Sequence, residues 1–364
     1  MKRNTTEQIV EKFNIIGNIE SVKPLGNGLI NSTYKVSTFE KDSPDYVLQR
    51  INHAVFPDVE TLMNNIIAVT NHIRKKISDQ DDIERRCLRF VPLKEHKDKY
   101  YLFDGSEYWR VMVFIPDTIT REEVTTESSY AAGETFGKFQ EMLADIPIKL
   151  GETIKDFHNM EFRLQQLNEA VEEDKAGRLN RVKDLLARIE SHAEKMTFAE
   201  RLHREGKLPK RICHCDTKVN NMLFDAKSGK PLCVIDLDTV MPSYVFSDFG
   251  DFLRYAANSS AEDEPDLSKI YFRMDIFEAF TKGYLSVTKS FLTKTEIDNL
   301  PLAAELFPYM QAVRFFADYL NGDTYYRTKY PEHNLVRAKA QFKLFLSAQD
   351  HEKEMRNCIS QAQA

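Results

Sequence analysis

Apolar residues recur mostly every second position through the first third of the chain and mostly at helical spacing beyond Pro116. Residues 5–16 have the pattern of a short amphipathic helix. The stretch "VKPLGNGLINSTYKVST" reads as a strand, a glycine turn and a second strand. "DYVLQRIN" is a third strand, with Val47, Gln49 and Ile51 on one face and Leu48 and Arg50 on the other. Over 57–77 the spacing of Leu62, Ile66, Val69 and Ile73 predicts a helix. "KYYLF" and "YWRVMVFI" then form a hairpin around "DGSE". These elements make a small, mainly β lobe ending near Ile115.

After Pro116 the pattern predicts helices over 121–145 and 161–205, with long charged faces. "RICHC" is a short strand, and "NMLFD" and "PLCVIDLD" flank the turn-forming "AKSGK" as a second hairpin. From Phe246 onward the pattern is again mostly helical. With strands and helices segregated, the expected class is α+β: a β-rich lobe over 1–115 and a larger helical lobe over 116–364.

Composition narrows the function classes. Of 364 residues, 42% are hydrophobic and 29% charged, as in a globular protein with a sizeable core. The net charge of −6 argues against nucleic-acid binding through phosphate contacts. No run of about 18 apolar residues marks a membrane span, and "MKRNTTEQIVEKFNI" lacks the apolar centre of a signal peptide. Five cysteines (87, 213, 215, 233 and 358), an odd number, fit reduced thiols and a cytoplasmic setting.

The chemistry concentrates in "HCDTKVNN", residues 214–221, which has the H-x-D-x-x-x-x-N spacing of a kinase catalytic loop. An aspartate such as Asp216 can orient an acceptor hydroxyl and take its proton, and an asparagine such as Asn221 can reach Mg²⁺. His214 is expected to brace the loop, and Lys218 to neutralise phosphate charge. Twenty residues past Asp216, Asp236 ends the apolar run "LCVID", where a second metal ligand is needed; Asp238 is a further candidate, through a second ion or water. The literal kinase triplet Asp-Phe-Gly occurs later, at 248–250, but follows "MPSYVFS" rather than a core strand. It reads as a decoy, with Asp248 and Asp251 capping and bracing a helix that starts near Phe249.

"GNGLIN" supplies Gly26, Asn27 and Gly28 as a candidate phosphate cradle. The strand lysine that should follow is absent: Gln49 stands in its place, so Arg50, another cation or mainly Mg²⁺ is expected to meet the phosphates. Glu60 reads as a solvated carboxylate. A zinc site from Cys213, His214, Cys215 and Cys233 is disfavoured because neighbouring strand residues face opposite ways, and the C-x-P-x-R of a sulfatase is missing.

These segments, with "FPDVETLMNN", "VIDLDTVMPSYVFSDFGD", "RFFADYLNGDTYY" and "YPEHNLVRAKAQ", resemble the aminoglycoside phosphotransferase/choline kinase group of protein-kinase-like small-molecule kinases. The C-terminal segments make the chain most similar to members acting on N-acetylhexosamines. The resemblance implies a bilobal protein-kinase-like fold, with a nucleotide-binding lobe over 1–115 and a catalytic and sugar-binding lobe over 116–364. It implies Mg²⁺, and transfer of the ATP γ-phosphoryl group to the anomeric hydroxyl of GlcNAc or GalNAc. It also implies Asp216 as base, Asn221 and Asp236 as metal ligands, and Arg314, Asp318 and Tyr325 as sugar contacts. It implies no nucleic acid, membrane or protein partner. Choline, homoserine, methylthioribose and aminoglycosides are the alternative acceptors. Leu29 and Cys215 depart from the group's pattern, which expects histidine and a polar residue there.

Overall fold

The computed structural model describes residues 5–26 and 30–363. They pack as two compact units: Met1–Arg121 with Asp145–Lys155 and Asn221–Met241, and the remainder. Division by packing therefore differs from a single cut after Ile115, because two later segments join the first unit.

In the first unit, β1 (Ile19–Pro24), β2 (Ser32–Thr38), β3 (Tyr46–Ile51), β4 (Leu102–Phe103) and β5 (Tyr108–Val113) form an antiparallel sheet of order β1-β2-β3-β5-β4. Period-2 alternation sends Tyr46, Leu48, Val111 and Val113 to one face, where they bury against Ile9, Val10 and Phe13. Helix α1 is only Thr6–Val10, shorter than the expected 5–16. Helix α2 (Val59–Lys76) matches its predicted span, with Leu62, Ile66, Val69 and Ile73 all buried. Helix α3 (Ile83–Arg86) is one turn. The predicted second hairpin is present: Met222–Asp225 pairs with Pro231–Val234, and β6 (Thr118–Ile119) adds to its edge.

The second unit is helical: α4 (Thr126–Leu143), α5 (Met160–Glu173), α6 (Lys183–Met196), α7 (Phe198–Arg204), α8 (Phe246–Ala256), α9 (Met274–Thr288), α10 (Lys294–Asp298), α11 (Leu300–Leu320), α12 (His333–Asp350) and α13 (Glu352–Gln363). The helix expected over 161–205 is broken after Glu173, where Asp174 takes φ 35° and Gly177 φ 63°. Among the described residues, no helix is long and apolar enough to cross a membrane.

The glycine of the Asp-Phe-Gly triplet has a packing role. Gly250 lies inside α8, where a Cβ would come 2.3 Å from the Phe307 ring and 2.5 Å from the Ala303 carbonyl oxygen of α11. Gly250→Ala is expected to destabilise the protein by about 1–3 kcal/mol through overpacking. An unchanged thermal midpoint would refute this close approach.

Candidate active site

The loop carrying Asp216 is built around a buried carboxylate. Asp248, 0% exposed, accepts the backbone N–H groups of Cys215 (2.8 Å, Oδ1) and His214 (3.1 Å, Oδ2). Gln140 of α4 donates its Nε2 to the same Oδ2 at 2.7 Å and is itself held by the Tyr284 hydroxyl. The Thr217 hydroxyl donates to the Asp248 carbonyl oxygen at 2.7 Å. Burial pushes the Asp248 carboxyl up, while His214, the two backbone donors and Gln140 pull it down. The expectation that Asp248 caps a helix starting near Phe249 is corrected: α8 begins at Phe246, Val245 provides no side-chain cap, and Asp248 spends its oxygens on the loop.

That bracing shapes the chain at Asp216. Cys215 adopts φ 62°, a left-handed conformation unusual for a residue with a side chain. The Asp216 N–H then reaches His214 Nδ1 at 3.3 Å. His214 is fully buried, edge-on to Phe136 and Phe139. Lys218 Nζ lies 2.9 Å from Asp216 Oδ2, with both side chains about one third exposed. Asp251 is likewise pushed up by burial and pulled down by Arg254, whose Nε donates to it at 3.0 Å; the charge of Asp216 pushes it further up. Arg254 also donates to Glu262 at 2.9 Å and lines a cavity of about 330 Å³ with Tyr255, Asn258, Arg273 and Gln341.

In the first unit, the second hairpin brings Asn221 and Asp236 together. The Ile235 N–H donates to the Asn221 carbonyl oxygen at 2.9 Å, so the two residues sit at one end of the paired strands. Asp236 also takes a left-handed conformation, φ 60°. An amide oxygen and a carboxylate are hard donors of the type Mg²⁺ accepts. Burial holds the Cys213, Cys215 and Cys233 thiols well above the usual thiol range.

The remaining predicted residues have distinct surroundings. Gly26 has φ 70° and open space where a Cβ would stand, whereas Asn27 and Gly28 lie outside the described residues. Arg50 lies on the Leu48 face of β3, bonded to Ser32 at 3.0 Å and Glu107 at 3.3 Å. Glu60 is exposed, in the first turn of α2. The oxygens of Asp238 meet Arg110 at 2.6 Å and Asn31 at 2.7 Å. On α11, Arg314 lies over the rings of Phe157 (5.4 Å) and Tyr326 (5.7 Å). Asp318 makes no ion pair with it among the described residues. Instead the Asp318 carboxylate accepts the N–H groups of Thr324, Tyr325 and Tyr326 at 2.8–2.9 Å, and the Asn334 amide at 2.9 Å. It thereby holds the turn that presents Tyr325, which is 66% exposed.

Sequence reasoning passed over Gln140, Asn31 and Arg110. Arg110 was the most visible of them, as a lone charge inside the apolar run "YWRVMVFI".

Residues 21–282 match the profile of the "Phosphotransferase enzyme family" (APH), well over half the chain. The chain belongs to this family. It is therefore a phosphotransferase, and its fold recurs in solved structures. The aminoglycoside phosphotransferase of Alicyclobacillus acidocaldarius is 12% identical with a TM-score of 0.63, over 99% of this chain and 98% of that one. The choline kinase of Cryptosporidium parvum is 16% identical with a TM-score of 0.60, over 98% of each. An amicoumacin kinase solved with AMP-PNP, Ca²⁺ and its substrate is 14% identical with a TM-score of 0.58, over 90% and 89%. These likenesses establish a protein-kinase-like α+β fold.

Proposed function

We propose that this phosphotransferase is an ATP- and Mg²⁺-dependent kinase that phosphorylates the anomeric hydroxyl of an N-acetylhexosamine, GlcNAc or GalNAc. The observation that supports the phosphoryl-transfer reading is the hydrogen bond from the Ile235 N–H to the Asn221 carbonyl oxygen, which sets Asn221 at the hairpin end beside the residue preceding Asp236. The AMP-PNP bound to the amicoumacin kinase supports ATP as the donor. Asp216 orients the acceptor hydroxyl and takes its proton. Lys218, 2.9 Å from that carboxylate, offsets phosphate charge. Asn221 and Asp236 hold Mg²⁺, which neutralises phosphate oxygens when bound. Gly26 belongs to the proposed phosphate-binding segment, whose other candidates, Asn27 and Gly28, lie outside the described residues. Arg50 is the weakest member of the nucleotide set, since Ser32 and Glu107 already engage it.

For the acceptor, Arg314 and Tyr325 bind the sugar, and Asp318 acts through the turn it holds. A cationic acceptor is the second reading, because similar structures include kinases of choline and of aminopropanol. Arg314, which lies over the Phe157 and Tyr326 rings, puts a positive charge among the residues assigned to the acceptor, and a like charge disfavours a bound ammonium there.

Incubation with Mg·ATP and GlcNAc, GalNAc, choline or homoserine, followed by ³¹P NMR, tests the reading. A phosphate coupled to the anomeric proton is expected with a sugar. Product with choline alone would overturn the acceptor but keep the phosphotransferase. Asp236→Ala is expected to abolish the Mg²⁺ dependence of nucleotide binding; an unchanged Mg²⁺ titration removes Asp236 from the ligand set.

A further inference from the structure

In protein-kinase-like enzymes a strand lysine meets the phosphates and pairs with a helix glutamate. Here β3 offers Gln49, and Glu60 of α2 is exposed. The cation on that face comes from the next strand. Arg110 of β5 lies opposite Gln49 in register, fully buried, with Met63 of α2 at 3.9 Å. Its Nε donates to Gln49 Oε1 at 2.9 Å, and Gln49 Nε2 donates to Thr33 Oγ1 at 3.1 Å. Arg110 Nη1 lies 2.6 Å from Asp238 Oδ1, with both side chains at most 4% exposed. The other Asp238 oxygen accepts Asn31 Nδ2 at 2.7 Å, and Asn31 Oδ1 accepts the Asn52 N–H at 2.9 Å.

This network joins two segments that phosphoryl transfer depends on. Asn31 lies just after the glycine turn, and Asp238 two residues after Asp236. Asp236 sits in a left-handed conformation that a non-glycine residue keeps only where its surroundings hold it. Arg110 and Asn31 each engage one oxygen of the buried Asp238 carboxylate, and removing the guanidinium would leave a buried charge without its counter-charge.

We propose that Asp238 is a positioning residue and not a metal ligand, and that with Arg110 it forms the ion pair locking the Asp236 segment to the sheet and to the chain leaving the glycine turn. The proposal rests on the phosphotransferase reading above and deepens it. Lysine and glutamate at their usual places are replaced by arginine on the neighbouring strand and aspartate on the metal-binding segment.

The test uses Mn²⁺ in place of Mg²⁺, followed by electron paramagnetic resonance with AMP-PNP, on the full-length wild type, R110Q, R110K, D238N and R110Q/D238N. Each is measured well below its thermal midpoint. The number of Mn²⁺ ions per complex is expected to be the same throughout. Half-saturating Mn²⁺ should rise about 10–100-fold in R110Q and in D238N, as for residues that orient metal ligands. The double variant should be no worse than the weaker single, because one interaction is lost in all three. R110K, which keeps the charge, should stay closer to wild type than R110Q.

Loss of one Mn²⁺ in D238N overturns the proposal. So does R110Q with wild-type Mn²⁺ affinity beside a weakened D238N. If either single variant fails to fold, the charge-neutral double decides: a wild-type Mn²⁺ count supports positioning and one ion fewer refutes it. A wild type that binds no Mn²⁺ with AMP-PNP would bring down the metal-dependent reading and this inference together. A binding wild type with indistinguishable variants brings down only the inference.

Discussion

Asp216→Asn is expected to retain ATP and sugar binding while turnover falls on the order of 10²–10⁴, the range for losing a positioned general base. The size follows from what Asn cannot do. It keeps the shape and can still accept a hydrogen bond through its carbonyl, but it cannot take the proton of the acceptor hydroxyl. Lys218 then faces a neutral amide instead of the carboxylate 2.9 Å away. Nucleotide binding should survive because Asn221 and Asp236 are untouched. Turnover by rapid quench and ATP affinity by calorimetry separate the two effects. Near-normal turnover would remove the base assignment. Loss of ATP binding would instead mean that Asp216 contributes to the nucleotide site.

The sequence made much of this legible. Period-2 runs marked β2, β3 and β5, and a long helical stripe marked α2, because each buries one face and leaves the other polar. The spacing from His214 to Asn221 singled out the loop that Asp248 braces, since those residue types serve one chemistry at that spacing. The "NMLFD" and "PLCVIDLD" hairpin was also legible, and with it the adjacency of Asn221 and Asp236.

What sequence could not reveal depends on contacts between distant segments. Nothing local shows that Asp318 would turn to four donors on the following turn and on α12, instead of pairing with Arg314 one helical turn away. Gln49 was read correctly as a gap in the lysine position. Its replacement lies 61 residues on, and only strand register brings Arg110 opposite it. Helix breaks were similarly hidden: the charged face over 161–205 continues past Asp174, while the backbone does not. The Asp-Phe-Gly triplet was set aside as a metal site on its sequence context alone. The role first given to Asp248 was wrong, because cap rules consider the helix alone and this carboxylate serves a loop 33 and 34 residues upstream.

Asp248→Ala is accordingly expected to be among the most damaging single changes in the second unit. It removes the acceptor for the His214 and Cys215 N–H groups and for Gln140, all in a buried setting. A buried donor left unsatisfied costs about 1–3 kcal/mol. Three such losses are a large share of a typical stability of about 5–15 kcal/mol. The left-handed Cys215 also loses the two bonds that hold it, so the Asp216 carboxylate should lose its orientation in the fraction that remains folded. The expected results are a thermal midpoint lowered by many degrees and reduced turnover per folded molecule. The half-saturating Mg²⁺ of that folded fraction should not change. Asp248→Asn should fall between Ala and wild type, because its amide presents one oxygen to the loop and turns a donor toward donors. This pattern separates bracing from the literal kinase reading of the triplet. A metal-ligand Asp248 would give the reverse, an Ala variant of near-normal stability whose nucleotide binding no longer responds to Mg²⁺.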